Sequence, residues 1–205
     1  MWALVEDGSI TKHLSGNRGI TIGDIQYSRN IFSFRWTNEE REAIGLYEVV
    51  FDNTNKKDEE YYNNTEQTFT YDADAGTVTA TYGDATAKAH ADTLFTSDDE
   101  DNGLGTEGEV KVEGLKTRKI RIIKKQAASE LARTDWYIVR KADADTAIPS
   151  AITNHRAAVR TKCAQMETAV TNASNTAAIK TLYTYTKQED GSITRPLGEL
   201  PTLEV

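Results

Sequence analysis

Short runs of alternating apolar and polar residues fill the first part of the chain. Trp2–Val5 and Ile10–His13 flank an Asp7-Gly8 pair, which predicts a β-hairpin because both turn residues need a positive φ angle. Thr68–Tyr71 and Thr77–Tyr82 alternate in the same way around a short loop with a glycine. We therefore predict a second hairpin there, with a threonine-rich exposed face.

A short helix and a strand are predicted between these hairpins. Thr37 and Glu40 have the spacing of a capping box, and Gly45 is typical of a helix C-terminus. Leu46–Phe51 follows with the β-branched and aromatic residues of a strand. Ile31–Trp36 also alternates between apolar and polar residues.

The pattern becomes helical in the second part of the chain. We predict helices over Glu107–Arg133 and from Thr176 to Tyr183, and the segment Asp84–Phe95 also has helical composition. The apolar stripe of the first of these helices consists of Ile120, Ile123, Ala127 and Leu131. Such a stripe is broad enough to pack against one partner surface.

A longer helix is predicted to begin at Pro149, which suits the first helical turn. Its apolar residues recur with heptad spacing and are Ile152, Val159, Met166 and Ala173, joined by Cys163 and Val170. Arg156 interrupts this seam. The spacing indicates lengthwise packing on another helix, which is either the 107–133 helix or a helix of a neighbouring subunit.

These elements predict an α+β fold in four parts. Residues 1–97 form a small β-rich head with hairpins and short helices, and residues 98–106 an acidic, glycine-containing linker. Residues 107–185 form a helical hairpin or coiled-coil-like module. Residues 186–205 form an extended tail, either mobile or laid on another surface, with a turn at Asp190-Gly191.

The composition limits the classes of partner. A net charge of −8 and a pI of about 5.0 argue against nucleic acid and anionic membranes. Basic residues cluster between Lys116 and Lys125 without interleaved aromatic residues, so we interpret them as a solvated helix face. Only 38% of residues are hydrophobic and the mean hydropathy is −0.58. We therefore expect an oligomer or a chain that completes its core against a partner.

No stretch of the sequence has the length of apolar residues that a membrane span needs. Met1–Val5 is apolar but stops at Glu6, without the basic and long apolar regions of a signal peptide. We therefore expect a protein that is made and kept in a cytoplasm and binds no membrane.

Cys163 is the single cysteine, which excludes an intrachain disulfide and a cysteine-based metal cluster. It lies at an apolar position of the predicted helix, as a buried cysteine does. His155 lies about two helical turns away, too far for a direct hydrogen bond to a nucleophilic thiol. The sequence contains no paired acid and base in a plausible setting, no nucleophile elbow and no metal triad. We therefore expect no enzymatic activity, no cofactor and no bound metal.

The acidic stretch that begins at Asp98 has two interpretations. The positions of an EF-hand calcium loop are occupied by Asp98, Glu100, Asn102, Gly103 and Glu109. Glu100 is longer than the usual third ligand, and Gly105 replaces the usual apolar residue. We favour a flexible acidic linker, and a calcium-dependent binding module that uses the loop Asp98–Glu109 is the alternative.

A further set of residues recurs together in one known family. In chain order these are Thr134-Asp135-Trp136-Tyr137, Arg140, Ile148-Pro149, Arg156 and Arg160. The stretch from Leu131 to Tyr183 thereby resembles a C-terminal module of tailed-bacteriophage proteins, in which tyrosine often stands at the position of His155. Met1–Thr11 and Gly45–Val49 resemble the small domain that precedes this module. The family includes tail-fibre assembly chaperones and small tail or baseplate accessory proteins.

The matched residues have two possible roles. Trp136 and Tyr137 would anchor a hinge between two helices by burying a large apolar area. Arg140, Arg156 and Arg160 would bind carboxylates bidentately, within the hinge or on a fibre. Alternatively, all five residues are intramolecular contacts of a helical hairpin.

The resemblance implies a non-enzymatic bacteriophage tail protein, either a fibre assembly chaperone or a fibre-associated structural component of the baseplate. It implies a tail-fibre or baseplate protein as partner, and a location in the host cytoplasm during assembly and in the virion tail. Two other classes are a calcium-dependent binding module and an enzyme such as a hydrolase.

Overall fold

A computed structural model describes residues 1–203, and the chain divides into two compact units, with the second beginning at Ala87. The fold class is α+β, as predicted, with a β-rich N-terminal region and C-terminal helices. The boundary follows Thr86 rather than residue 97. The reason is that residues 89–95 form backbone hydrogen bonds with residues 109–115. The Leu115 N–H donates to the Ala89 carbonyl, and the Phe95 N–H donates to the Glu109 carbonyl.

The first unit is built mostly from strands. Its elements are β1 (Trp2–Glu6), β2 (Ser9–Leu14), β3 (Ile20–Ile22), β4 (Ile25–Tyr27), a 3-10 helix (Arg29–Phe32), α1 (Asn38–Glu42), β5 (Leu46–Asp52), β6 (Tyr62–Asn63), β7 (Gln67–Asp72), β8 (Thr77–Tyr82) and, at the boundary, β9 (Thr86–Ala87). Both predicted hairpins are present, as β1–β2 and β7–β8. The capping box of α1 is also present, with both Thr37–Glu40 hydrogen bonds formed.

Five strands form a mixed sheet in the order β2-β1-β5-β8-β7. Only the central β5–β8 pair is parallel. The sheet is strongly curved, because His13 on one edge strand and Phe69 on the other have ring centroids 4.2 Å apart. A flat sheet of five strands would separate its edges by about 19 Å. The concave face is lined by small buried residues, namely Ala3, Val5, Val49, Val78 and Ala80.

Arg41 organises the loop that covers the other face of the sheet. This buried side chain donates to the carbonyls of Ile31 and Ser33 at 2.7 and 2.5 Å and lies 4.8 Å from the Trp2 ring. The alternating run Ile31–Trp36 is therefore a 3-10 turn followed by bends rather than a strand. Its carbonyls bind a guanidinium and not a neighbouring strand.

The second unit contains the helices. Its elements are β10 (Thr93–Leu94), α2 (Ser97–Asp101), β11 (Val110–Val112), α3 (Leu115–Ala132), α4 (Asp135–Ala144), α5 (Ser150–Asn172), α6 (Thr176–Tyr183), β12 (Thr186–Lys187) and β13 (Ile193–Thr194). The predicted helix Glu107–Arg133 thus starts later, at Leu115. The segment Asp84–Phe95 is not helical, because part of it pairs with β11 through β10.

The heptad seam packs within the chain. Ile123 of α3 forms a buried cluster with Met166 and Val170 of α5 and with Leu197. Helix α3 is therefore a packing partner of α5, which resolves the choice left open by the spacing. Of the predicted seam residues, Ile123, Ile152, Val159, Met166 and Val170 are buried, whereas Ile120, Leu131 and Cys163 are half-buried.

Two segments differ from the predicted linker and tail. The linker 98–106 begins inside α2, whose N-terminus is capped by reciprocal Thr96–Asp99 hydrogen bonds. The tail, described as far as residue 203, forms the β12–β13 hairpin and then returns to the helices, where Leu197 is 2% exposed. The segment around Leu197 is therefore packed, because Leu197 is buried against α3 and α5, whereas Ile193 of the hairpin is exposed.

Among the residues that the structure describes, no helix combines the length and the apolar composition that crossing a membrane requires.

Candidate functional site: the fourth helix and its N-terminal corner

The corner between α3 and α4 is closed by Thr134. Its side chain is 1% exposed, and both its N–H and its hydroxyl donate to the Leu131 carbonyl, at 3.1 and 3.0 Å. The Tyr137 N–H donates in turn to the Thr134 carbonyl at 3.1 Å. Thr134, the first residue of the Thr134-Asp135-Trp136 motif, therefore ends one helix and begins the next.

Arg156 of α5 holds this corner from the opposite side. Its Nη1 lies 2.7 Å from the Leu131 carbonyl, 2.8 Å from Thr134 Oγ1 and 2.8 Å from Asp135 Oδ1. Arg156 is 8% exposed, so the contacts of Nη1 replace part of the hydration that the guanidinium loses, while Nε is buried without an acceptor in the described part of the chain. The residue that interrupts the heptad seam is thus an intramolecular connection between α5 and the α3–α4 corner.

Trp136 and Tyr137 are not buried anchors of the hinge, contrary to the sequence-based expectation. Trp136 is 52% exposed, and its ring is stacked on Tyr137, with centroids 4.0 Å apart. The guanidinium of Arg140 lies over both rings, 4.6 and 5.3 Å from their centroids. Polar contacts of Thr134 and Arg156 secure the corner, so the aromatic residues remain at the surface.

The exposed apolar surface continues along α4. Ile138 is 41% and Val139 65% exposed, and no residue of this helix is buried. The helices α3, α5 and α6 of the same unit each have buried residues. Helix α4 is therefore an amphipathic helix whose apolar residues are largely left to solvent.

Arg140 and Arg160 differ in their surroundings. Arg140 is half-buried on its aromatic neighbours, and its Nε is buried without a hydrogen-bond acceptor in the described part of the chain. Arg160 is exposed, one turn after Arg156 on α5. The structure brings Trp136, Tyr137 and Arg140 together. Arg160 is not part of that cluster among the described contacts.

Cys163 has the environment of an inert thiol. Burial, followed by the neighbouring Glu167 carboxylate, raises the pKa of Cys163. Its Sγ donates to Glu167 Oε1 at 3.2 Å. A nucleophilic cysteine needs a lowered pKa, so this arrangement does not support covalent chemistry.

Carboxylates of the acidic stretch, including that of the predicted calcium ligand Glu100, accept hydrogen bonds within the chain. The Asp99 carboxylate accepts hydrogen bonds from Lys111 at 2.6 Å and from Thr96 at 3.0 Å, and the Lys111 hydrogen bond is the largest cause of the lowered pKa of Asp99. Glu100 accepts from the Glu107 N–H at 3.0 Å. Within residues 1–203, no three His, Cys, Asp or Glu side chains form a group that could hold a metal ion.

A cavity of about 280 Å³ in the first unit also has a charged lining. It is bordered by Trp2, Arg41, Glu42 and Glu48. The hydrogen bonds of Arg41 to Ile31, Ser33 and Asn38 already use its guanidinium. The cavity therefore offers no free cation to a ligand, and we assign the candidate site to α4.

The sequence motif pointed to Trp136, Tyr137 and Arg140, with the two aromatic residues expected to be buried and Arg140 expected either within the hinge or on a fibre. It missed Val139, the most exposed large apolar residue of α4, and it missed Thr134 as the buried residue of the motif. The available signal was the N-cap type of Thr134. Comparison of the chain with protein-family models, curated proteins and solved structures gives no match in any of the three.

Proposed function

We propose that this chain is a non-enzymatic bacteriophage tail protein that acts through protein–protein contacts. It is either a fibre-associated structural component of the tail or baseplate, or a chaperone of tail-fibre assembly. It works in the host cytoplasm during assembly, and as a structural component it remains in the virion tail. Its partner binds the exposed face of α4, which we define as Trp136, Val139 and Arg140.

The exposed face of α4 is the observation that carries this proposal. A soluble protein exposes single apolar side chains without consequence, but a contiguous apolar patch marks an interaction site. Trp136 and Val139 are one helical turn apart and are both more than half exposed. Tryptophan and arginine are also the residue types that contribute most to binding energy in protein interfaces.

The residues that resemble those of tail proteins fall into two groups, one that supports α4 and one that lies on its surface. Thr134, Asp135 and Arg156 are engaged in internal hydrogen bonds that set the position of α4. Trp136, Tyr137 and Arg140 occupy the surface that this corner presents. A family of binding proteins requires both a rigid support and a contact surface.

The location of the protein tests the first part of the proposal. Purified virions of the phage that encodes the chain are analysed by quantitative mass spectrometry. A fixed copy number that fits the rotational symmetry of a tail supports a structural component. Absence from virions together with co-purification of a fibre protein from infected cells supports a chaperone. Absence from both refutes the tail assignment.

Substitutions on α4 test the second part. We expect Trp136→Ala to change the free energy of unfolding by about 1 kcal/mol or less, because the side chain is half exposed. The variant should nevertheless lose incorporation into virions or fibre co-purification. Ile193→Ala is a matched control, since Ile193 is also exposed but lies on β13. If Trp136→Ala unfolds the second unit, or if the folded variant behaves as wild type, the binding role of this face is wrong.

A further inference from the structure

We infer that the segment bound by α4 carries a carboxylate, from Asp or Glu, which Arg140 binds beside an apolar side chain that covers Trp136 and Val139. This inference rests on the proposed partner binding at α4 and names the chemistry of the partner. The occupant is a short acidic and apolar segment of another protein.

The charge pattern around α4 leaves Arg140 without a counterion. Three neighbouring cations are paired: Arg156 with Asp135 at 2.8 Å, Lys141 with Asp145 at 2.5 Å and Arg133 with Glu130 at 3.3 Å. In the described part of the chain, no ion pair or hydrogen bond of the Arg140 guanidinium is recorded. A partner carboxylate would complete the same pairing at Arg140.

The aromatic rings prepare Arg140 for such a contact. They hold the planar guanidinium over Trp136 and Tyr137, so less side-chain entropy is lost when a ligand binds. The fork of N–H groups can pair two oxygens of one carboxylate at once.

The apolar part of the face limits the form of the occupant. Val139 lies three residues after Trp136 and one before Arg140 on the same helix, so these positions are neighbours on its surface. Helix α4 has ten residues and is about 15 Å long. A stable dimer interface needs about 800 Å² per partner. A face of one short helix therefore suits a peptide segment better than a second copy of this chain.

Selection from a displayed library of short random peptides tests the inference. The full chain is the bait, and the Trp136→Ala variant removes peptides that bind elsewhere. We expect the recovered peptides to share an Asp or Glu near an apolar residue. Replacement of that acid by Asn or Gln should weaken binding about tenfold, and added salt should weaken it further.

Variants of the chain provide the matched controls. Arg140→Lys keeps the positive charge but loses the fork and its stacking, and should weaken binding about tenfold. Arg18→Lys, at an exposed position of the first unit, should leave binding unchanged. Arg140→Glu should prefer peptides in which Lys replaces the shared acid.

Several results would overturn the inference. These are recovery of no peptide, recovery of peptides without a shared acid, or equal affinity of wild type and Arg140→Lys. A wild-type dimer that Val139→Asp dissociates in ultracentrifugation would show that a second copy is the occupant. These readouts use purified protein, whereas the tail assignment is tested by virion composition, so the two can fail separately.

Discussion

Arg156 shows how one residue can interrupt a pattern for a structural reason. At its position the heptad seam calls for an apolar side chain, and the sequence offers a guanidinium. The structure uses that guanidinium to bind Leu131, Thr134 and Asp135. A break in periodicity therefore marks the place where α5 supports the corner before α4.

We predict that Arg156→Ala lowers the free energy of unfolding of the second unit by about 2 kcal/mol, because it removes buried, charge-assisted hydrogen bonds. Arg160→Ala on the same helix should change it by about 0.5 kcal/mol or less, since Arg160 is exposed. Urea denaturation followed by circular dichroism measures both. Equal effects of the two substitutions would contradict the supporting role of Arg156.

A second prediction at this scale concerns Tyr47. Its hydroxyl lies 3.0 Å from that of Tyr71, and this hydrogen bond, followed by burial, raises the pKa of Tyr47 from 10.0 to about 12. A raised folded-state pKa adds stability that is complete below pH 10 and is lost as the pH rises towards 12. We therefore expect the free energy of unfolding of the first unit to fall over this window.

Alkaline titration of tyrosinate absorbance checks this prediction. The difference between wild type and Tyr47→Phe should show one tyrosine that ionises well above pH 10. In Tyr71→Phe that ionisation should move back towards the ordinary value, because the largest cause of the shift is absent. An unchanged midpoint in Tyr71→Phe would show that the hydrogen bond is not the cause.

The helices of the second unit show which elements periodicity can predict. The apolar spacings correctly predicted helices at α3, α5 and α6, because each has a stripe that is buried within the chain. Composition wrongly suggested a helix over Asp84–Phe95. Hydrogen bonds of that segment to residues far along the chain, such as Leu115, override its local preference.

At the same scale, we predict that the C-terminal segment depends on Leu197. Leu197→Ala should lower the free energy of unfolding by about 2 kcal/mol or more, because the side chain is buried with Ile123 and Met166. It should also speed hydrogen exchange at the Leu197 amide, which donates to the Leu182 carbonyl at 3.0 Å. Ile193→Ala, at an exposed position, should change neither measurement. Equal exchange in Leu197→Ala and wild type would contradict packing of this segment.

At the scale of the whole molecule, each of the two units has a buried core within the described residues. The first lies on the concave face of the sheet around Val78, and the second lies between α3, α5 and the C-terminal segment around Met166. Their elements come from different parts of the chain, on either side of Thr86. A unit with its own core can fold by itself.

We predict that residues 1–86 and 87–205, produced separately, each unfold cooperatively on heating. In the complete chain, Val78→Ala should lower the transition of the first unit only, and Met166→Ala that of the second unit only. Calorimetry of the fragments and of the variants measures these transitions. A fragment without a cooperative transition would contradict the assignment of a self-sufficient core.

Local sequence patterns were enough to predict the α+β class, the two hairpins and the helices α3, α5 and α6. These depend on turn residues and on periodicities within a few positions, which local sequence expresses directly. The exposure of Trp136, the contacts of Arg156 and the packing of Leu197 could be seen only in the folded structure. Each of these features depends on contacts with residues far along the chain. The periodicity of a helix shows that one of its faces is apolar, but it does not show which residues cover that face.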